Sequence, residues 1–241
     1  MNICTEEFTV TLPDVGENNK LTDKGFLRML QEIACIHSAQ AGYSVSDAVE
    51  TGHAWIILNW KLQIFSRPKW NEKLTVNTWS SKHTFVAYYR DFEVFDEHSN
   101  LVALATSRWI FYDLKKGTFA KFSDDSKCNF ETVDKHVFAE PMNEKISEPE
   151  NSKLIKQYTV SRRDIDTNHH VNNLNYIDFA YEALPEEIFF NKNFKNIDIS
   201  YKHEAKLGDT LNLFYSEQND SIIITIKNQD NSKLHCIIKL Y

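Results

Sequence analysis

A nine-residue stretch occurs twice in altered form, and a chain that repeats itself is restricted to folds built from copies. Pro68-Lys69-Trp70-Asn71-Glu72-Lys73-Leu74-Thr75-Val76 lies over Ala205-Lys206-Leu207-Gly208-Asp209-Thr210-Leu211-Asn212-Leu213, matching basic, apolar, turn, acidic and strand positions at a constant offset. The surrounding order of elements agrees too. In the first half Glu7 to Leu12 reads as a strand, and Thr22 or Asp23 caps a helix from about Lys24 to Ala41. Phe26, Leu30, Ile33, Ala34, His37 and Ala41 form its apolar stripe, and Gly42 is its stop. A short second helix is expected between Tyr43 and Gly52, then strands over Ala54 to Phe65, Glu72 to Ser80, Phe85 to Phe95 and Leu101 to Tyr112.

The second half restarts this grammar. A strand near Lys156 to Ser161 precedes a helix from Val171, where Val171, Leu174, Ile177, Tyr181 and Leu184 recur at three or four and Pro185 ends the run. Strands are expected near Asn196 to His203, Thr210 to Ser216, Ile222 to Lys227 and Lys233 to Leu240. The pattern predicts an α+β protein of two tandem units, each a helix laid against a curved antiparallel sheet. The expected boundaries are 1–135 for the first unit, 136–153 for a charged, Pro-containing linker and 154–241 for the second.

Composition narrows the functional classes. Net charge is -7, so broad attraction to nucleic acid or membrane surfaces is not expected. Cys4, Cys35, Cys128 and Cys236 are scattered without a CxxC, which fits a reducing compartment. No run approaches the roughly 18 apolar residues of a membrane span, and the acidic start lacks a signal-peptide pattern, so a cytoplasmic location is expected. All five tryptophans, Trp55, Trp60, Trp70, Trp79 and Trp109, fall in the first half. They fill a core there or shape an apolar slot.

The chemistry-bearing residues gather in the second half. Asp164-Ile-Asp166-Thr-Asn168-His169-His170-Val171-Asn172-Asn173-Leu174-Asn175-Tyr176 concentrates carboxylates, amides and imidazoles just before an apolar helical run. In an extended segment the alternating Asp166, Asn168 and His170 share one side. A helix beginning at Val171 places its free N–H groups and positive dipole end beside them, which suits a developing oxyanion and disfavours an imidazolium at His170.

The spacing Asp164-x-Asp166-x-Asn168-x-His170-Val171-Asn172-Asn173-x-x-Tyr176 resembles the signature of fatty acyl-ACP thioesterases, whose fold is two hotdog units in one chain. The resemblance continues in Tyr201-Lys202-His203-Glu204, where the family has a tyrosine, two basic residues and a glutamate on the next strand. Members often carry a cysteine after that glutamate. Ala205 stands here instead, which removes the nucleophile of a Cys-His-Asn scheme. Plant members begin with a transit peptide, and the acidic start shows none, which points to a bacterial or processed form.

The resemblance implies hydrolysis of fatty acyl-ACP, releasing free fatty acid and ending chain elongation. With neither that cysteine nor a G-x-S-x-G elbow, direct attack by water is the simpler scheme. Glu204 is the first candidate to activate the water and Asp166 its competitor, because a carboxylate in a desolvated pocket becomes a better base. Asn168 offers its amide to the carbonyl oxygen or the water, and His170 donates a hydrogen bond or relays a proton. Asn172, Asn173 and Tyr176 are supporting residues at the substrate. Arg163 and Lys202, flanked by Arg162 and Lys206, are candidates to dock the acidic carrier protein. Each of these polar residues taken alone has a structural reading as a cap or a solvated charge.

A metal site assembled from Asp166, His169, His170, His203 and Glu204 lacks the H-x3-H or HExxH spacing, so no metal or cofactor is expected. Rival readings are an acyl-CoA thioesterase, another hotdog thioester enzyme such as a dehydratase, and a non-catalytic module that binds acyl thioesters. Hotdog units commonly pair, so a homodimer is a further expectation.

Overall fold

The computed structural model describes residues 2–44, 51–120, 131–142 and 145–241. The chain divides into two compact units, residues 1–58 with 62–142, and 143–241 with 59–61. The short helix expected between Tyr43 and Gly52 and the thiol of Cys128 lie mainly or wholly outside the described residues.

In the first unit β1 (Cys4–Thr9), β2 (His53–Ile64), β3 (Lys73–His83), β4 (Tyr88–Asp96) and β5 (Leu101–Asp113) form a sheet in the order β1-β3-β4-β5-β2, with the two-residue β6 (Thr118–Phe119) on β5. The pairings β1–β3, β3–β4 and β4–β5 are antiparallel. Helix α1 (Asp23–Gln40) packs over β1 and β3. It begins where the sequence says: the Thr22 hydroxyl accepts the Gly25 N–H at 3.0 Å, satisfying one of the orphan donors of the first turn. Phe26, Leu27, Leu30, Ile33 and Ala34 bury the stripe, joined by His37, whose Nδ1 sits 2.7 Å from Arg90. A side chain at Gly25 would meet the Asp14 carbonyl at 2.8 Å, so the first turn of α1 lies directly on the loop that precedes it. Trp79 is fully buried, which answers the core reading for that residue, whereas Trp70 is more than half exposed.

The second unit orders its strands β8-β11-β10-β9-β7, from β7 (Lys153–Thr159), β8 (Asn196–Tyr201), β9 (Thr210–Gln218), β10 (Ser221–Asn228) and β11 (Leu234–Leu240), with antiparallel pairing throughout. Ile222, Ile223, Ile224 and Ile226 make β10 a buried central strand. The long helix expected from Val171 to Leu184 is not there. Two short helices replace it, α2 (Asn175–Tyr181) packed over β10 and β11, and α3 (Glu186–Asn191) beyond Pro185. Asn172 is the reason: its side-chain oxygen accepts the Leu174 N–H at 2.9 Å and its carbonyl accepts the Asn175 N–H at 2.9 Å, which holds residues 172–175 in a turn.

Candidate active site

The polar stretch forms a tight hairpin rather than an extended run. A 3-10 turn over Arg162–Asp164 leads in, Ile165 bridges Val171, the Asp166 N–H donates to the His170 carbonyl at 2.9 Å, and the His169 N–H donates to the Asp166 carbonyl at 3.1 Å. His169 takes φ +62°, the left-handed conformation that closes the hairpin. The expectation that Asp166, Asn168 and His170 share one side of a strand is therefore corrected. Asp166 is bound within the loop, its Oδ1 accepting the Asn168 N–H at 2.8 Å and the His170 N–H at 3.4 Å. Asn168 and His169 are exposed and His170 half-buried.

The helix argument for His170 falls as well. α2 begins at Asn175, with Leu174 as its N-cap, so the free N–H groups of its first turn do not directly follow His170 in the chain.

Beneath the hairpin, Asp164 is buried and accepts from the Tyr158 hydroxyl at 2.7 Å and from the Ser161 backbone N–H and hydroxyl at 2.8 Å each. Burial raises its carboxyl, but these hydrogen bonds and the charge of Arg163 outweigh that and hold it below the usual carboxylate range. Asp164 is thus an ionised anchor. Its backbone carbonyl accepts from the Asn172 N–H at 2.8 Å and from the Asn175 side chain at 3.2 Å.

The hairpin and the Glu204 segment are brought together. The Val171 N–H donates to the Ala205 carbonyl at 2.8 Å, which lays His170–Val171 along Glu204–Ala205 at the exit of β8. The Tyr201 hydroxyl donates to the Asn173 carbonyl at 3.0 Å, and the Tyr176 and Tyr201 rings meet edge to face at 5.8 Å. Tyr176 is 4% exposed; burial pushes its phenol far above the ordinary range, as it does for Tyr201. Glu204 itself is exposed, so the desolvation expected to sharpen it as a base is corrected. Arg162, Arg163, Lys202 and Lys206 are exposed around the same end of the unit, where Tyr158, Thr159, Ser161, Arg162 and Arg163 line a shallow open depression. Asn172, Asn173 and Tyr176 are tied into the support of the hairpin. Among the described residues, no three His, Cys, Asp or Glu side chains group as metal ligands.

One residue escaped the sequence reading. His235, 2% exposed, lies in β11 opposite the β8 exit, and no motif or spacing marks it.

Two helix-and-sheet units, the second bearing this hairpin beside a strand-exit glutamate, define a double-hotdog protein. Solved structures of that kind superpose over nearly the whole chain. An acyl-ACP thioesterase from Bacteroides thetaiotaomicron is 23% identical with a TM-score of 0.83, covering 99% of this chain and 96% of that one. The 12:0-ACP thioesterase from Umbellularia californica is 16% identical with a TM-score of 0.83, over 99% and 96% of the two chains. The acyl-ACP thioesterase N-terminal domain model matches residues 2–129 and the C-terminal domain model residues 147–239, and the chain belongs to the acyl-ACP thioesterase family. Among relatives, oleoyl-acyl carrier protein thioesterase 1 of Arabidopsis thaliana, a chloroplastic protein, is 26% identical over 86% of this chain and 61% of its own length. The chloroplastic oleoyl-acyl carrier protein thioesterase of Coriandrum sativum is 24% identical over 89% and 63%. The chain thus spans less than two thirds of the length of these plant relatives. Among the described residues no helix is long and apolar enough to cross a membrane.

Proposed function

We propose that this chain hydrolyses the thioester of fatty acyl-ACP, releasing free fatty acid and the carrier thiol. The observation that carries the proposal is the 2.8 Å hydrogen bond from Val171 to Ala205, which sets the family's acid-amide-imidazole hairpin against the segment bearing Glu204. Water attacks the carbonyl carbon, its proton passing to Glu204, or to Asp166 as competitor. Asn168 steadies the carbonyl oxygen, and the C–S bond breaks as the leaving thiolate takes a proton through His170. An exposed carboxylate is a weak base when free. Its water is activated when the acyl chain and carrier arm cover the site and exclude solvent.

The N-terminal unit is assigned the acyl chain. Trp55 meets Tyr88 at 5.0 Å and Phe111 at 4.9 Å, an aromatic cluster able to flank a hydrocarbon. Arg162, Arg163, Lys202 and Lys206, all exposed, are assigned to dock the acidic carrier, Arg163 and Lys202 foremost.

The test is product analysis on a ladder of acyl-ACP and matching acyl-CoA substrates. Free fatty acid with equimolar thiol, faster from ACP than from CoA, is expected. An enoyl product, or binding without thiol release, overturns the proposal. Charge reversal at Arg163 and Lys202 raises KM for the ACP substrate more than for the CoA one; equal effects remove the docking assignment.

A further inference from the structure

His235 sits at a break in strand pairing. Ile226 of β10 opposes Cys236 and Lys227 opposes Leu234, so His235 is the extra residue of a β-bulge in β11. Bulges interrupt a ladder in order to re-aim a side chain or end a pairing. Here the bulge does both. The His235 carbonyl accepts from the Lys202 N–H at 2.9 Å and from the His203 N–H at 3.4 Å, and the His235 Nδ1 meets the His203 carbonyl at 3.1 Å. A carbonyl can only accept, so in this contact Nδ1 carries the proton.

Nε2 is buried and completes no hydrogen bond among the described residues, although the Glu204 backbone also acts on the ring. The Tyr176 hydroxyl, which abuts the Ala205 backbone without completing a bond to it, is buried and unpartnered as well. Two buried polar side chains thus underlie residues 203–205, at a cost in desolvation that a leucine and a phenylalanine would avoid. Burial lowers the His235 ring below its ordinary value, so it is neutral near pH 7 and serves as a fixed donor.

Resting on the assignment of Glu204 above, we infer that His235 is a positioning residue for Glu204: its bulged imidazole clamps the His203 carbonyl and fixes the direction in which the chain leaves β8.

The experiment uses the full chain with acyl-ACP and three variants, His235→Leu, His235→Asn and Glu204→Gln. His235→Leu removes the donor and the orphaned nitrogen together, so its melting temperature is expected to hold while kcat falls about 30-fold, KM changing less than about 2-fold. Asparagine can still donate to the His203 carbonyl, and His235→Asn is expected to recover most of the rate. Added to Glu204→Gln, His235→Leu is expected to cost nothing more. Wild-type kcat in His235→Leu, no rescue by asparagine, or full additivity with Glu204→Gln overturns the inference. Wild-type turnover in Glu204→Gln overturns the Glu204 assignment instead. Independently of activity, hydrogen exchange at the Lys202 amide, which donates to the His235 carbonyl, and at the Val171 amide, which donates to the Ala205 carbonyl, is expected to quicken about 10-fold in His235→Leu and not in His235→Asn; unchanged exchange also overturns the inference.

Discussion

The hairpin of the second unit has a twin in the first, and the two agree in backbone while differing in nearly every side chain that bears chemistry. In the first unit the Gly16 N–H donates to Lys20, Asn19 to Gly16, Thr22 to Asp14 and Leu21 to Pro68; in the second, Asp166 donates to His170, His169 to Asp166, Asn172 to Asp164 and Val171 to Ala205. Asn19 at φ +58° matches His169 at φ +62°. Both loops follow a 3-10 turn with a capping box, closed by Thr11 and Asp14 in one copy and by Ser161 and Asp164 in the other. Gly16, Asn18 and Lys20 thus occupy the places of Asp166, Asn168 and His170. Arg67, one residue before the gripped Pro68, occupies the place of Glu204.

The difference teaches that the frame is structural, and the proposed function places the chemistry on one copy of it. In the first unit Arg67 is consumed by the fold: it donates to the Leu21 carbonyl at 2.9 Å and to Asp23 at 2.5 Å, with Asp23 buried. In the second unit the Glu204 side chain is exposed, and Asn173 stands where Asp23 would be.

The largest expected effect breaks the first copy. Asp23→Ala leaves Arg67 without its carboxylate and is expected to cost about 3 kcal/mol in denaturant unfolding, whereas Glu204→Ala, at an exposed site, changes stability by less than about 0.5 kcal/mol. Equal costs would end the contrast between a locked and an unlocked position. Next, Asp166→Gly installs the residue of the first copy, whose hairpin stands without a side chain there. Turnover is expected to fall at least about 10-fold while stability drops by no more than about 1 kcal/mol; a rate loss matched by unfolding would make Asp166 purely structural.

Acid compares the two anchors. Burial raises Asp14, but its bonds to Arg28 and Thr11 outweigh that and lower its carboxyl, as hydrogen bonds do for Asp164. Groups held below their unfolded value of 3.8 contribute stability that is fully present above it and lost as pH falls through the folded value. Asp14→Asn and Asp164→Asn should each be less stable than wild type at neutral pH and lose less on acidification below about pH 4. Unchanged acid slopes in urea titrations would contradict the anchoring role. The smallest effect is expected from His169→Asn, which copies Asn19 at a position that tolerates either residue: melting temperature and turnover both stay at wild-type values. Collapse of turnover would draw His169 into the site.

Much of the fold was readable because local signals and packing agree. Thr22, the stripe of α1 and Gly42 at φ +90° mark the first helix as the sequence reads. The duplicated stretch holds in bonds as well: Asn71 donates to Val10 and Val10 to Glu72, as Gly208 donates to Val160 and Val160 to Asp209. The second helix misled because its apolar period begins at Val171, while Asn172 spends its side chain on the backbone and delays the first helical residue to Asn175. α3 lies beyond the expected helix, although Pro185 followed by Glu186 and Glu187 is a helix-start signal. The hairpin twin is hard to see because Asp14, Asn18 and Leu21, although they match Asp164, Asn168 and Val171 in type and spacing, are only three positions, and polar alternation looks the same in a strand and in a loop. His235 had no signal at all, since a bulge is a property of pairing between strands.

The most direct measurement is the steady-state release of fatty acid and thiol from acyl-ACP by Glu204→Gln and by Lys20→Ala, a change in the mirrored loop. A kcat lowered at least about 100-fold in the first, with native melting temperature and no change in the second, is the expected result. Wild-type turnover in Glu204→Gln, or an equal loss in Lys20→Ala, contradicts a single grafted site in the C-terminal copy.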